Sequence, residues 1–163
     1  MCHDAPMSEA VQVEEATLRT EPGVAYAVAR LHQRVFAGIT ERVAPHGLTT
    51  LQFTTLSVLS RHGAPLSTSQ LARRAFMTPQ SMSEVIHALE RKGLIKRNPH
   101  PNHRRMLPAT LTAKGRRVLA ACEEAASEFE STMLEGFSDS DREKFLEMIK
   151  AAVRNLGGGF PHD

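Results

Sequence analysis

Residues 99–107 read PHPNHRRML and set two adjacent arginines, Arg104 and Arg105, beside Asn102, His103 and His100, on a tip that also carries Pro99 and Pro101. Guanidinium groups suit one kind of chemistry above others. They are always charged, they donate in a planar fork, and they seat on phosphate or enter places where negative potential is concentrated. The runs on either side, Leu94–Arg97 and Met106–Leu111, read as two short strands of a hairpin. A hairpin that only finished a sheet would more often turn on Asn-Gly or Asp-Gly, so this one reads as a holder for a basic tip.

A second set of candidates lies just upstream, in TPQSMSEVIHALERKG. Met82, Val85, Ile86 and Leu89 share one helical face and should pack inward. Gln80, Ser81, Glu84 and His87, spaced i, i+1, i+4 and i+7, share the opposite face, with Thr78 and Ser83 beside them in the first turns. Gln pairs with adenine N6/N7, Ser serves either edge, and Glu accepts from cytosine N4. Any solvated helix can show these residue types; the position, in the first turns of a helix capped by Thr78 with Pro79 following, is what gives the set its meaning.

Charge along the chain points the same way. The formal net charge is only +2, yet residues 61–117 carry twelve basic and two acidic side chains, while residues 1–21 and 118–163 are acidic. A basic block inside a near-neutral protein is an electrostatic footprint for a polyanion. Arg73, Arg74, Lys96 and Arg97 are its candidate phosphate contacts. Other chemistries find less support. The histidines of this region lack the three or four convergent partners of a zinc site, so no metal is expected. No nucleophile elbow or phosphate-cradling Gly-rich loop is present, so neither an enzyme nor a cofactor is expected. Cys2 and Cys122 form no disulfide framework. The first residues show neither a basic n-region nor an apolar h-region, and no run is long enough to span a bilayer; the expectation is a cytoplasmic protein without membrane contact.

The elements that must position these residues follow from periodicity. Residues 1–21 read as a mobile acidic tail. Val24, Val28, Leu31, Val35, Ile39 and Val43 recur as one apolar stripe of a helix of about 20 residues within 22–47. Residues 48–112 hold a helix capped by Thr49 or Thr50, a short helix over Gln70–Ala75, the Thr78-capped helix and the hairpin. Residues 113–156 hold two more helices, the first running to about Glu135, the second opened by Ser138 or Ser140 and carrying Phe145, Ile149 and Val153. Residues 157–163 are a glycine-led tail. The class is mainly α with a small β-wing. The stripes at both ends either pair with a second copy or pack on each other within one chain.

The order helix, helix, helix, strand, tip, strand resembles the MarR family of bacterial winged helix-turn-helix transcription regulators. The carrying residues are LSTSQLARRA, MTPQSMSEVIHALERKGLIKR and PHPNHRRMLPATLTAKG, within a match over roughly residues 24–156. The resemblance implies a homodimer on double-stranded DNA, with Val24, Val28, Leu31, Phe145, Ile149 and Val153 at the dimer interface. It also implies an arginine of the wing tip, Arg104 or Arg105 with Asn102 and His103 beside it, in the minor groove. A small aromatic or lipophilic effector is implied too, with His32, Phe36 and Phe53 as candidate lining. Two departures stand out. Family members often have acids where His100 and His103 stand, so this tip gains charge as pH falls. A basic residue is common where Glu84 stands. The expected function is therefore a ligand-responsive regulator, most simply a repressor on a pseudo-palindromic operator. The alternatives are a sequence-tolerant architectural DNA binder and a winged helix used for protein–protein assembly, which would need apolar anchors.

Overall fold

Hydroxyl side chains start five of the helices in the computed structural model, which describes residues 23–98 and 107–159. Thr49, Ser67, Thr78, Thr112 and Ser138 each accept a hydrogen bond from the backbone N–H three residues on, at 2.9–3.3 Å. Each such cap satisfies one of the helix's orphan donors and contributes about 1 kcal/mol. The helices are α1 (Val24–Val43), α2 (Thr50–His62), α3 (Thr68–Arg74), α4 (Pro79–Arg91), α5 (Ala113–Met133) and α6 (Asp139–Asn155), with a 3-10 turn at Ala44–His46. The strands β1 (Ile95–Arg97) and β2 (Ala109–Leu111) pair antiparallel, Ile95 opposite Leu111 and Arg97 opposite Ala109.

Four boundaries differ from the sequence expectation; one is the start of β2, which lies at Ala109 rather than Met106, Leu107 and Pro108 being outside the strand. α3 begins at Thr68 rather than Gln70, because Gln70 is the third residue of a capping box whose side chain turns back to accept from the Ser67 N–H at 2.9 Å. β1 starts one residue later than expected. Leu94 lies outside it because its N–H closes α4 on Leu89 O, while its carbonyl accepts from both the N–H and the hydroxyl of Thr112. α5 stops at Met133, two residues short of Glu135.

The core gathers Leu56, Leu66, Leu71, Met82, Ile86, Leu89 and Ile95, which come from α2, the loop before α3, α3 itself, α4 and β1. All four residues assigned to the inner face of α4 are buried there. The apolar spacing of Leu51, Phe53, Leu56, Val58 and Leu59 in α2 predicts their burial, but Leu51 is 44% exposed. A ladder contact ties the wing base to the body: Leu66 and Ala109 exchange backbone hydrogen bonds of 3.2 and 2.8 Å. α5 joins through Leu119 and Cys122, and it reaches the wing because Gly115 has no side chain where the Leu94 carbonyl sits. Burial pushes the Cys122 thiol up, with Glu123 adding to the shift, so it behaves as a small core residue and not as a reactive thiolate.

The turn between α3 and α4 is closed by backbone alone. Met77 N–H donates to Ala72 O at 2.8 Å and Phe76 N–H to Arg73 O at 3.4 Å, the pattern in which a helix ends on a left-handed residue. Glycine usually occupies that position; here it is Phe76, with φ +53° and its ring 75% exposed. A bulky side chain in that conformation costs about 1–2 kcal/mol.

Candidate nucleic-acid interface

The two faces of α4 divide as its sequence suggests. Met82, Val85, Ile86 and Leu89 are buried, whereas Thr78, Gln80, Ser81, Glu84 and His87 are exposed and Ser83 is half-buried. Thr78 does double work at the start of this helix, since its hydroxyl accepts from the Ser81 N–H and lies 2.9 Å from the Ser81 hydroxyl, to which it donates. The first turn is thereby fixed, and the Gln80 and Ser81 side chains leave it toward solvent from a rigid base.

The cationic side chains fall into two groups. Arg73 and Lys96 are exposed, as free surface charges require. Arg97 is occupied: its Nε and Nη2 donate to the same Glu90 oxygen at 3.1 and 2.7 Å, and Nη2 lies 3.5 Å from His87 Nδ1. The hydrogen bond from Arg97 holds the Glu90 carboxyl below the usual carboxylate range, against a smaller opposing effect of desolvation. This pair links α4 to β1 at the base of the hairpin. Lys92 similarly braces the far end of α4, donating to Gly47 O at 2.6 Å and to Gln52 Oε1 at 2.7 Å. The wing-tip residues Asn102, His103, Arg104 and Arg105, with His100, lie outside the described residues.

Arg74 points elsewhere. It lines a cavity of about 200 Å³ beside α2, together with Phe53, Ser57, Val58, Arg61 and His62. The Ser57 hydroxyl is buried in this wall without a hydrogen-bond partner among the described residues. Apolar walls, two guanidiniums and an unsatisfied hydroxyl suit a small anion with an apolar body. Of the three effector candidates, Phe53 is in this wall. His32 and Phe36 are neighbours on α1, with ring centroids 6.2 Å apart, and are not part of it. Among the described residues no group of His, Cys, Asp and Glu could hold a metal ion, and no helix is long and apolar enough to cross a membrane.

At the two ends of the chain the apolar stripes stay uncovered. Val24 is 81% and Val28 59% exposed on α1, while Leu31 is half-buried. Ile149 is exposed, Phe145 and Val153 are half-buried, and α6 as a whole has no buried residue. Sequence reasoning missed the Glu90–Arg97 clamp, the Arg61–His62–Ser57 wall and Phe76. The clamp had no local signal, because its partners meet only when the chain reverses at Gly93. Phe76 had one: the three residues between Arg74 and Thr78 form a helix-ending turn without a glycine.

Comparison with known proteins adds the family context. Residues 46–106 match the model of the MarR family. The HTH-type transcriptional repressor Rv2887 of Mycobacterium tuberculosis is 33% identical over 112 residues, covering 69% of this chain and 80% of the relative. The solved complex of that Mycobacterium tuberculosis protein with DNA aligns with a TM-score of 0.68 at 29% identity, covering 81% of this chain and 98% of the other. The transcriptional repressor CouR bound to a 23-mer DNA duplex aligns with a TM-score of 0.73 at 29% identity, covering 80% and 92%.

Proposed function

Since this chain belongs to the MarR family, we propose that it is a cytoplasmic, homodimeric transcriptional repressor that binds a pseudo-palindromic operator and is released from it by a small anionic effector. The observation that carries this reading is α4: a capped helix whose buried face is entirely apolar and whose exposed face offers Gln80, Ser81, Glu84 and His87 within a strongly basic stretch. The relatives named as repressors, two of them solved on DNA, support it.

In this reading the exposed face of α4, with Thr78 and Ser83 at its edge, meets base edges in the major groove. Arg73 and Lys96 rest on phosphates, and Arg104 or Arg105, with Asn102 and His103, enters the minor groove from the wing. Arg97 acts through Glu90, directing the wing, more than as a free phosphate contact. The stripes on α1 and α6 meet their copies in the dimer through Val24, Val28, Leu31, Phe145, Ile149 and Val153, which sets the spacing of the two reading helices. The effector's acid group pairs with Arg61 or Arg74 in the α2 cavity, and its apolar part lies on Phe53 and Val58. Binding there withdraws Arg74 from DNA and favours a lobe spacing that does not fit the operator; only such differential affinity releases DNA.

The test is fluorescence anisotropy of the protein on DNA from upstream of its own gene, against a scrambled duplex, across a salt series. Binding at least 10³-fold tighter to the first duplex is expected. Arg104→Ala should weaken binding and lower the salt slope by about one unit. Equal weak binding to both duplexes would overturn the reading.

A further inference from the structure

Phe76 is the one residue of the turn that the fold does not use. Ala75 and Met77 on either side pack against the core, and the hydrogen bonds that end α3 come from backbone alone. A glycine there would close the same turn without strain. The phenyl ring is 75% exposed, so it gains almost nothing from burial, and its φ of +53° is unfavourable for an aromatic residue. A strained side chain that the core does not use points to a role at the surface. Its place says where. Phe76 stands two residues before Thr78, the cap of α4, and three after the exposed Arg73. Among large apolar residues of α3, α4 and the turn between them, Phe76 alone is exposed.

We propose that Phe76 is a DNA-contacting residue that lays its ring on the apolar surface of the duplex at the rim of the major groove, against deoxyribose faces and thymine methyl groups. This rests on the reading of α4 as the helix that enters DNA. An aromatic ring held rigidly by a closed turn loses little freedom on contact, and thymine C5-methyl groups and sugars are the apolar surface a groove offers. The strained backbone is what aims the ring outward; the usual right-handed or extended conformations would break the hydrogen bonds that end α3.

The experiment uses the full chain and a duplex selected by the wild-type protein from a random-sequence pool. Phe76→Gly, Phe76→Leu and Gln80→Ala are compared with wild type by anisotropy across a salt series, and by thermal melting of the free proteins. Phe76→Gly is expected to melt no lower than wild type, to lose about tenfold or more in affinity, and to keep the wild-type salt slope because no charge is removed. Phe76→Leu should recover part of that affinity. Replacing thymine by deoxyuridine in the duplex separates the two apolar sources: a loss seen with wild type but not with Phe76→Gly assigns the ring to methyl groups, and equal behaviour assigns it to sugars. If Phe76→Gly binds within twofold of wild type while Gln80→Ala is weakened, the Phe76 proposal fails and the reading of α4 stands. If the wild-type protein selects no duplex, both fail together.

Discussion

The segment from α2 to β2 and the two ends of the chain solve the burial problem in opposite ways. In the first, short helices of 7–13 residues bury Leu56, Leu66, Leu71, Met82, Ile86 and Leu89 within the same chain. In the second, helices of 20 and 17 residues leave most of their apolar side chains in solvent: α6 buries nothing, and α1 buries only Gly38 and Val43. Long amphipathic helices with uncovered stripes are incomplete as monomers, and a surface of this kind marks an interface. The α2–β2 segment thus supplies most of the core, completed by Val43, Leu119 and Cys122, while the stripes at the ends stay exposed; in the proposed function they meet a second copy. Under the proposed function, a lobe with its own core held by a separate interface lets a change of spacing alter DNA binding without unfolding anything.

The largest expected effect is a break where α5 meets the first region. Gly115 begins α5 against the wing, and an added Cβ would fall on the Leu94 carbonyl oxygen, which is already held by Thr112. Backbone cannot swing aside as a side chain can. Gly115→Ala should therefore destabilise the protein by about 3 kcal/mol or more. Chemical denaturation would show it; a loss below ~1 kcal/mol would mean that α5 and the wing are less tightly joined than their geometry implies. Gly38→Ala is the informative contrast, because its Cβ meets the Phe129 ring at 2.5 Å and a ring can shift. It should cost less, although Phe129 is also stacked under Arg42 at 4.5 Å.

The second break targets the ends. Ile149→Asp puts a charge into the proposed dimer interface, where an unpaired buried carboxylate costs about 3 kcal/mol or more, roughly a hundredfold in the dimer dissociation constant. Sedimentation at micromolar concentration should show monomers, and the circular dichroism of the helical lobe should survive. An unchanged dimeric mass would place the interface elsewhere or leave the stripes to each other within one chain.

Local rules made much of this legible. Hydroxyl caps, Pro79 and the apolar period of α4 are encoded within a few residues, so the start of that helix and all four of its buried positions could be read directly. The glycine after α4, φ +68°, was legible for the same reason. What could not be read depends on residues far apart in sequence. The α2 cavity joins Arg74 to Arg61 and Ser57 across the turn between helices, and the Ser57 hydroxyl is notable only because tertiary packing leaves it unpaired. Phe76 sits in a helix-ending turn that the sequence marks by its lack of a glycine, but its exposure follows only from the turn geometry. Arg97 looked like a free cation because charge counts carry no information about partners.

That Arg97 pairing gives the smallest and sharpest prediction, because it bears on how the finished lobe directs its wing. The Glu90 and Arg97 side chains are 36% and 21% exposed, so solvent screens much of their attraction. Glu90→Gln at neutral pH should cost only about 0.5 kcal/mol of stability. The pH dependence has a definite sign. The Glu90 carboxyl is held below its ordinary value of 4.5 in the folded protein, so the unfolded chain binds that proton first as pH falls. The pair's contribution is complete above the ordinary value and disappears as pH drops through the lowered one. Denaturation curves of wild type and Glu90→Gln should be separated at pH 7 and converge once the pH has fallen through the lowered value of the Glu90 carboxyl. Separation that persisted there would mean the glutamine disturbs packing and not charge. If the clamp directs the wing, the same variant should lose more in DNA affinity at pH 7 than in stability, since a few degrees of freedom at the base of β1 move the tip arginines much further than they disturb the core.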